Sequence, residues 1–207
     1  MESVKQLITR GQDVSLEFIS HIENHLAITR TIVAFANTNG GKIIVGINEK
    51  NKVVGVLPTE ELKLLEELIS NDCAPVVPFE SKVIEDGRHL LLEIDIPKST
   101  NKHKAKADDG EMRFYHRIKD KTLVGNRVII NLWKLQDEST PKPIELDDNS
   151  KAIFEYIGEH KPVTVSKIFR FFALNKNDVN LYLAQLNYWG YIDCVIVESG
   201  MAYTLAN

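Results

Sequence analysis

The densest run of chemistry-bearing side chains lies between positions 98 and 121. Lys98, Lys102, Lys104, Lys106, Arg113, Arg117, Lys119 and Lys121 stand there against Asp108, Asp109, Glu111 and Asp120. That is a local positive excess inside a 207-residue chain whose formal net charge is −4. Lys and Arg neutralise phosphates and release counterions, so the run is a candidate contact for a nucleic-acid backbone. Its rival reading is a solvated, charged loop. Alternation in MRFYHRI makes 112–118 a strand, and with Phe114 turned inward, Arg113, Tyr115 and Arg117 share the outward face. Tyr115 then either stacks on a base or sits in the core. His103 and His116 have no partners at metal-ligand spacing and read as ordinary polar residues.

A second set sits further on. Lys176, Asn177 and Asn180, with Gln185, fall on a predicted helix, and Asn and Gln can read adenine edges in the major groove. The surrounding segment 150–207 holds as many acidic as basic residues, so dimerisation or protein docking is the competing role. Leu181, Leu183, Leu186, Tyr188 and Trp189 read as core or interface. A third candidate is the corner Asn37-Thr38-Asn39-Gly40-Gly41-Lys42. A phosphate-binding P-loop runs strand, glycines, helix. Here a helix precedes the glycines and a strand follows, so Lys42 carries no nucleotide site and the corner reads as a structural turn. In it Asn37 and Asn39 bond local backbone, and Gly40 and Gly41 supply positive φ.

The elements that position these residues follow from periodicity. Residues 2–10 suit a short helix with Val4, Leu7 and Ile8 on one face, and SLEFISHI over 15–22 alternates as a strand. Asn24 is placed to cap a helix whose Ile28, Ile32, Val33, Phe35 and Ala36 form one apolar stripe. KIIVGIN and Val53-Val54 read as a hairpin through Glu49-Lys50-Asn51. Pro58 opens a helix with a leucine stripe at 62, 65 and 68. The stretch 79–97 reads as a hairpin around Asp86-Gly87. NRVIINLWKL is either helix or strand. QDESTPKPIELDDN, 136–149, reads as a linker. Three short helices and a hairpin around Glu198-Ser199-Gly200 then give the layout of a winged helix-turn-helix.

LEF (16–18), AFANTNGGKIIVGI (34–47), VVGV (53–56), HKAKADDG (103–110) and FYHRIKDKT (114–122) together resemble the Schlafen AlbA domain of bacterial DNA-binding or transcriptional regulators, often labelled ATP-binding. The resemblance covers about two-thirds of the chain and is most specific in the AFANTNGG block. Some animal relatives are RNases whose clustered carboxylates hold a divalent metal against a phosphodiester. The resemblance implies acids at 12 and 17 and a third after the glycine strand. In this sequence those positions are Gln12, Glu17 and Asn48 or Glu49, and the family's usual Lys is Ile19. Glu17 and Glu49 are therefore the catalytic candidates, with Gln12 and Asn48 removing much of the negative charge a metal needs.

The expectation is an α+β chain. Residues 1–135 form a Schlafen AlbA-type mixed sheet with helices that binds nucleic acid, 136–149 a linker, and 150–207 a small winged helix-turn-helix domain. The function expected is a non-enzymatic DNA-binding transcriptional regulator without a cofactor or metal, acting on DNA rather than RNA. The alternatives are a metal-dependent RNase and a protein-interaction or dimerisation module. No apolar run is long enough for a membrane span, and the opening residues carry no apolar signal segment, so a cytoplasmic location is expected. Cys73 and Cys194 are too isolated for a zinc site or disulfide framework and read as buried thiols.

Overall fold

The computed structural model describes residues 2–139, 141–143, 145–198 and 200–206. The chain divides into two compact units, Met1–Val124 and Gly125–Asn207. Both mix helices and strands, as the α+β reading expects.

The first unit opens with α1 (Val4–Arg10), whose Ser3 and Gln6 form a reciprocal capping box. A four-stranded sheet follows, ordered β1 (Leu16–Ile19), β2 (Gly41–Val45), β5 (His89–Ile96), β4 (Glu80–Asp86). β1 and β2 run parallel and the other pairs antiparallel. Between β1 and β2 lies α2 (His25–Asn37), capped by Asn24 accepting from the Ala27 amide. α3 (Pro58–Asp72) follows. A second sheet is ordered β3 (Cys73–Ala74), β6 (Lys104–Lys106), β7 (Met112–Ile118), β8 (Lys121–Val124).

One face of the first sheet packs on α1, through Val4 and Leu7 against Leu16, Phe18, Ile44 and Leu91. The other packs on α2 and α3, through Ile32, Phe35 and Leu65 against Ile43, Val45, Leu92 and Ile94. Ala105 of β6 and Tyr115 of β7 join that second core. α2 is thus wedged between two sheets, and every residue from Thr31 to Asn37 is buried. The single apolar stripe expected for it is too narrow: Thr29 and Thr31 are buried as well, since a helix between two sheets has no solvent face.

Three local expectations are corrected. Val53-Val54 forms no strand beside KIIVGIN, only an isolated bridge from Ile47 to Val53, because both edges of β2 are already taken by β1 and β5. Among the corner glycines only Gly40 has positive φ. Gly41 is needed for space instead: a Cβ there would lie 2.6 Å from the Phe35 ring. The hairpin joining β4 to β5 turns on Gly87-Arg88, since Asp86 and His89 are the closing pair.

In the second unit, 127–135 resolves as helix α4 (Arg127–Asp137), which packs on α7. α5 (Asp148–His160), β9 (Val163–Thr164), α6 (Val165–Phe172), α7 (Lys176–Tyr188), β10 (Ile192–Val197) and β11 (Gly200–Leu205) follow. The strands form an antiparallel sheet ordered β10-β11-β9 around a core that includes Ile153, Ile157, Ile168, Leu183 and Tyr203. Of the expected linker 136–149, α4 reaches in to Asp137 and α5 begins at Asp148, capped by Asp147. Ser199 of the expected turn lies outside the described residues, as do Thr140 and Ile144 of the expected linker.

Gly40 and Gly110 both have positive φ, but a Cβ at Gly40 would sit 2.8 Å from Ile96 O and Lys98 N while one at Gly110 meets nothing. Both Ala variants carry the left-handed strain of about 1–2 kcal/mol. Denaturant unfolding is expected to show Gly40→Ala as the more damaging of the two, because it adds a backbone clash.

Candidate nucleic-acid interface

The acids of the implied metal site are held apart. Glu17 lies on β1 beside Ile43 in the parallel register, whereas Glu49 is exposed in a turn past the end of β2. The two do not converge. Glu17 accepts from Arg117 Nη2 at 2.5 Å. Arg117 is almost wholly buried, donates further to Asp13 O and Thr122 Oγ1, and stacks 4.8 Å over the Phe35 ring. Burial pushes the Glu17 carboxyl above its ordinary range, against the opposing pull of Arg117. The side chain of Gln12 is spent on the Phe18 amide, and that of Asn48 on the amides of Lys50 and Lys52. Among the described residues no group of three His, Cys, Asp or Glu stands close enough to hold a metal. A divalent cation does not fit these residues, because the remaining carboxylate already has a cation.

The basic run divides into surface and core. Lys98, Lys106, Arg113, Lys119 and Lys121 are exposed; Lys102 and Lys104 are half-buried. Lys106 pairs with Asp72 at 3.5 Å, Lys121 with Asp120 at 3.1 Å, and Arg113 with Asp109. Lys104 lies 4.9 Å over the Phe114 ring. Lys119 sits in the turn between β7 and β8 with φ 53°. Arg113 and Lys119 therefore flank β7, about 20 Å apart at the strand rise.

The shared outward face of Arg113, Tyr115 and Arg117 is overturned. Tyr115 and Arg117 are each 4% exposed, because that face of β7 is the one α2 covers. Tyr115 is unavailable for stacking on a base, and Arg117 serves Glu17. His116, pointing the other way, is also 4% exposed. Neither of its ring nitrogens has a hydrogen-bond partner among the described residues, and burial lowers its pKa to about 4. His103 is structural, held by Pro75 O and Ser99 Oγ at 2.8 Å each.

The corner also reaches further than local turn chemistry. Asn37, 1% exposed, donates through Nδ2 to His103 O and Tyr115 O and accepts from the His103 amide, at 2.8–2.9 Å. Thr38 Oγ1 accepts from the Arg117 amide at 3.0 Å. These side chains fasten the basic strand to α2. Lys42 is bound by Glu93 and Asp95, each at 2.7 Å, which removes it as a phosphate ligand. Burial works against charge on Glu93, but Lys42 and Lys82 outweigh it and hold its pKa below the ordinary value.

In the second unit, Lys176 and Asn177 are exposed on the first turn of α7, and Asn180 is half-buried one turn on. Sequence reasoning passed over Lys167 and Arg170 as site residues. With Thr164, Ser166 and Glu198 they line an open groove of about 730 Å³. Their i, i+3 spacing on α6 was the available signal. Burial pushes the Cys73 and Cys194 thiols up to about 12, so both are unreactive at neutral pH.

The first unit is thus a two-sheet α+β domain pinned through an Asn-Thr-Asn-Gly-Gly corner. The Schlafen, AlbA_2 family model matches residues 13–124, and the chain belongs to that family. Among solved structures, one similar to it is the N-terminal domain of a Nitrosomonas europaea protein described as related to the ATP-dependent DNA helicase RecG. That likeness is at 21% identity and TM-score 0.39, over 47% of this chain and 74% of that one. Another is the DIP2311 protein of Corynebacterium diphtheriae, at 15% identity and TM-score 0.46, over 93% of this chain. This chain spans 34% of the latter's length. No curated protein matches. No described helix is long and apolar enough to cross a membrane.

Two outcomes follow from the buried groups. Glu17→Ala leaves Arg117 buried without its anion and is expected to cost roughly 2 kcal/mol in denaturant unfolding, between the values for exposed and fully buried pairs. His116 stays neutral in the folded chain down to pH about 4 but takes a proton near 6.5 when unfolded. The unfolded state therefore binds more protons in that window, and stability falls with pH from 6.5 to 4 by about 3 kcal/mol. Unfolding curves of wild type and His116→Phe across that range are expected to differ in this slope.

Proposed function

We propose that the chain is a non-enzymatic nucleic-acid-binding regulator whose first unit grips the phosphate backbone and whose second unit is a winged helix. The observation that carries this is the sorting of the basic run: Lys106, Arg113, Lys119 and Lys121 stay at the surface on a ribbon fixed to α2, and Lys98 is exposed just past β5. Two of these cations, Arg113 and Lys121, rest on exposed Asp109 and Asp120. Surface pairs of that kind are worth little and exchange readily for phosphate. Supporting the second half, the order α5, β9, α6, α7, β10, β11 with the sheet β10-β11-β9 matches winged-helix connectivity. In that frame α7 presents Lys176, Asn177 and Asn180 to a groove, while Lys167 and Arg170 on α6 meet the backbone. Duplex DNA is the favoured ligand, because a helix bearing Asn side chains suits its major groove and the deep groove of duplex RNA excludes side chains.

Fluorescence anisotropy with duplex DNA, single-stranded DNA and RNA across a salt series tests the reading. Duplex binding is expected to weaken steeply with salt. Lys98→Ala combined with Lys121→Ala is expected to reduce the log–log slope by about 2, one phosphate contact for each side chain. Absence of binding to any probe at low salt, or binding insensitive to salt, rejects the proposal.

A further inference from the structure

β4 is an outer strand of the first sheet, seven residues long and unbroken in register from Glu80 opposite Asp95 to Asp86 opposite His89. It contains no proline and no bulge, two of the devices that close an edge to further pairing. The two-residue turn, with Gly87 at φ 60°, makes Asp86 and His89 a hydrogen-bonded pair. By alternation Ile84, Lys82 and Glu80 bond to β5, and the backbone groups of Ser81, Val83 and Glu85 face outward. Beside this edge Val83 is 53% exposed and Leu90 41% exposed. Both line an apolar groove of about 470 Å³ with Leu62 and Pro58 of α3.

Charge decides what fits. If a second β4 adds antiparallel with the dyad at Ile84, Val83 and Glu85 exchange the new backbone bonds, which is the set left open. Lys82 then lies opposite Asp86 of the second copy, twice by symmetry. Neighbouring registers are repulsive. A dyad at Val83 sets Glu80 against Asp86, one at Lys82 sets Lys82 against itself, and one at Glu85 sets Glu85 against itself. Like charges directly opposite are destabilising and opposite charges favourable.

We propose that β4 is a homodimer interface, joining two first sheets into one continuous sheet with Ile84 on the two-fold axis. An isologous contact of this kind is closed by its own symmetry, so it stops at two copies. The apolar side chain of Val83 lies at the seam, with Leu90 one strand inward on the same face. Lys82, held to Glu93 at 2.8 Å on the sheet face, is already positioned for the second copy's Asp86.

Sedimentation equilibrium of the full chain is expected to show a dimer. Val83→Pro removes an amide that faces outward and none that bonds β5, so it is expected to yield a folded monomer with unchanged far-UV circular dichroism. Asp86→Lys sets two lysines against each other and is expected to weaken dimerisation about tenfold, and Lys82→Glu with Asp86→Lys to restore it. The register is read by oxidation. Ile84→Cys places two Cα atoms about 4.5 Å apart and is expected to cross-link, whereas Val83→Cys is not. A protein monomeric at high micromolar concentration overturns the proposal and assigns the edge to a heterologous strand. A dimer unaffected by Val83→Pro, or cross-linked through position 83 and not 84, overturns it as well.

Discussion

The first unit depends on a few hydrogen bonds made by the side chains that end α2. Asn37 is buried, and both of its donors and its acceptor are taken by backbone groups of His103 and Tyr115. Thr38 adds the Arg117 amide. Satisfying a buried amide in this way leaves its partners little freedom to move, since each would otherwise be stranded without water. The glycines that follow serve the same end: Gly40 lets the chain pass against Ile96 and Lys98, and Gly41 makes room for Phe35. The corner is therefore a clamp between a helix and two sheets.

From the clamp comes the division of labour along β7. Because the strand is drawn onto α2, Tyr115 enters the core and Arg117 lies over Phe35, where it neutralises Glu17. Glu17 thus acts as a counterion to a buried arginine. Surface charge is left to residues at the ends and edges of the ribbon.

Much of this was legible in the sequence. The Asn24 cap, the Pro58 helix start, the β4–β5 hairpin and the family relationship all rest on local signals, which short-range chemistry fixes. What was not legible is long-range. Thr29 and Thr31 look like the polar side of an amphipathic helix, and only the arrival of a second sheet buries them. Alternation in 112–118 states that neighbours face opposite ways but not which way is in, and a strand buried on both faces gives the same pattern. Asn37 looks like turn chemistry because its partners are far away in the chain. For 127–137, the six apolar residues between Val128 and Leu135 fit either period, and packing on α7 decides it as a helix.

The claim that the corner clamps the basic strand is tested most directly by native-state hydrogen exchange of the His103 and Arg117 amides, which bond to the side chains of Asn37 and Thr38. If the clamp holds the unit together, both amides exchange only through its global unfolding and rank with the slowest in β2 and β5. Exchange with an opening free energy far below the global value would show that the strand lifts from α2 without unfolding the domain, and would contradict the account.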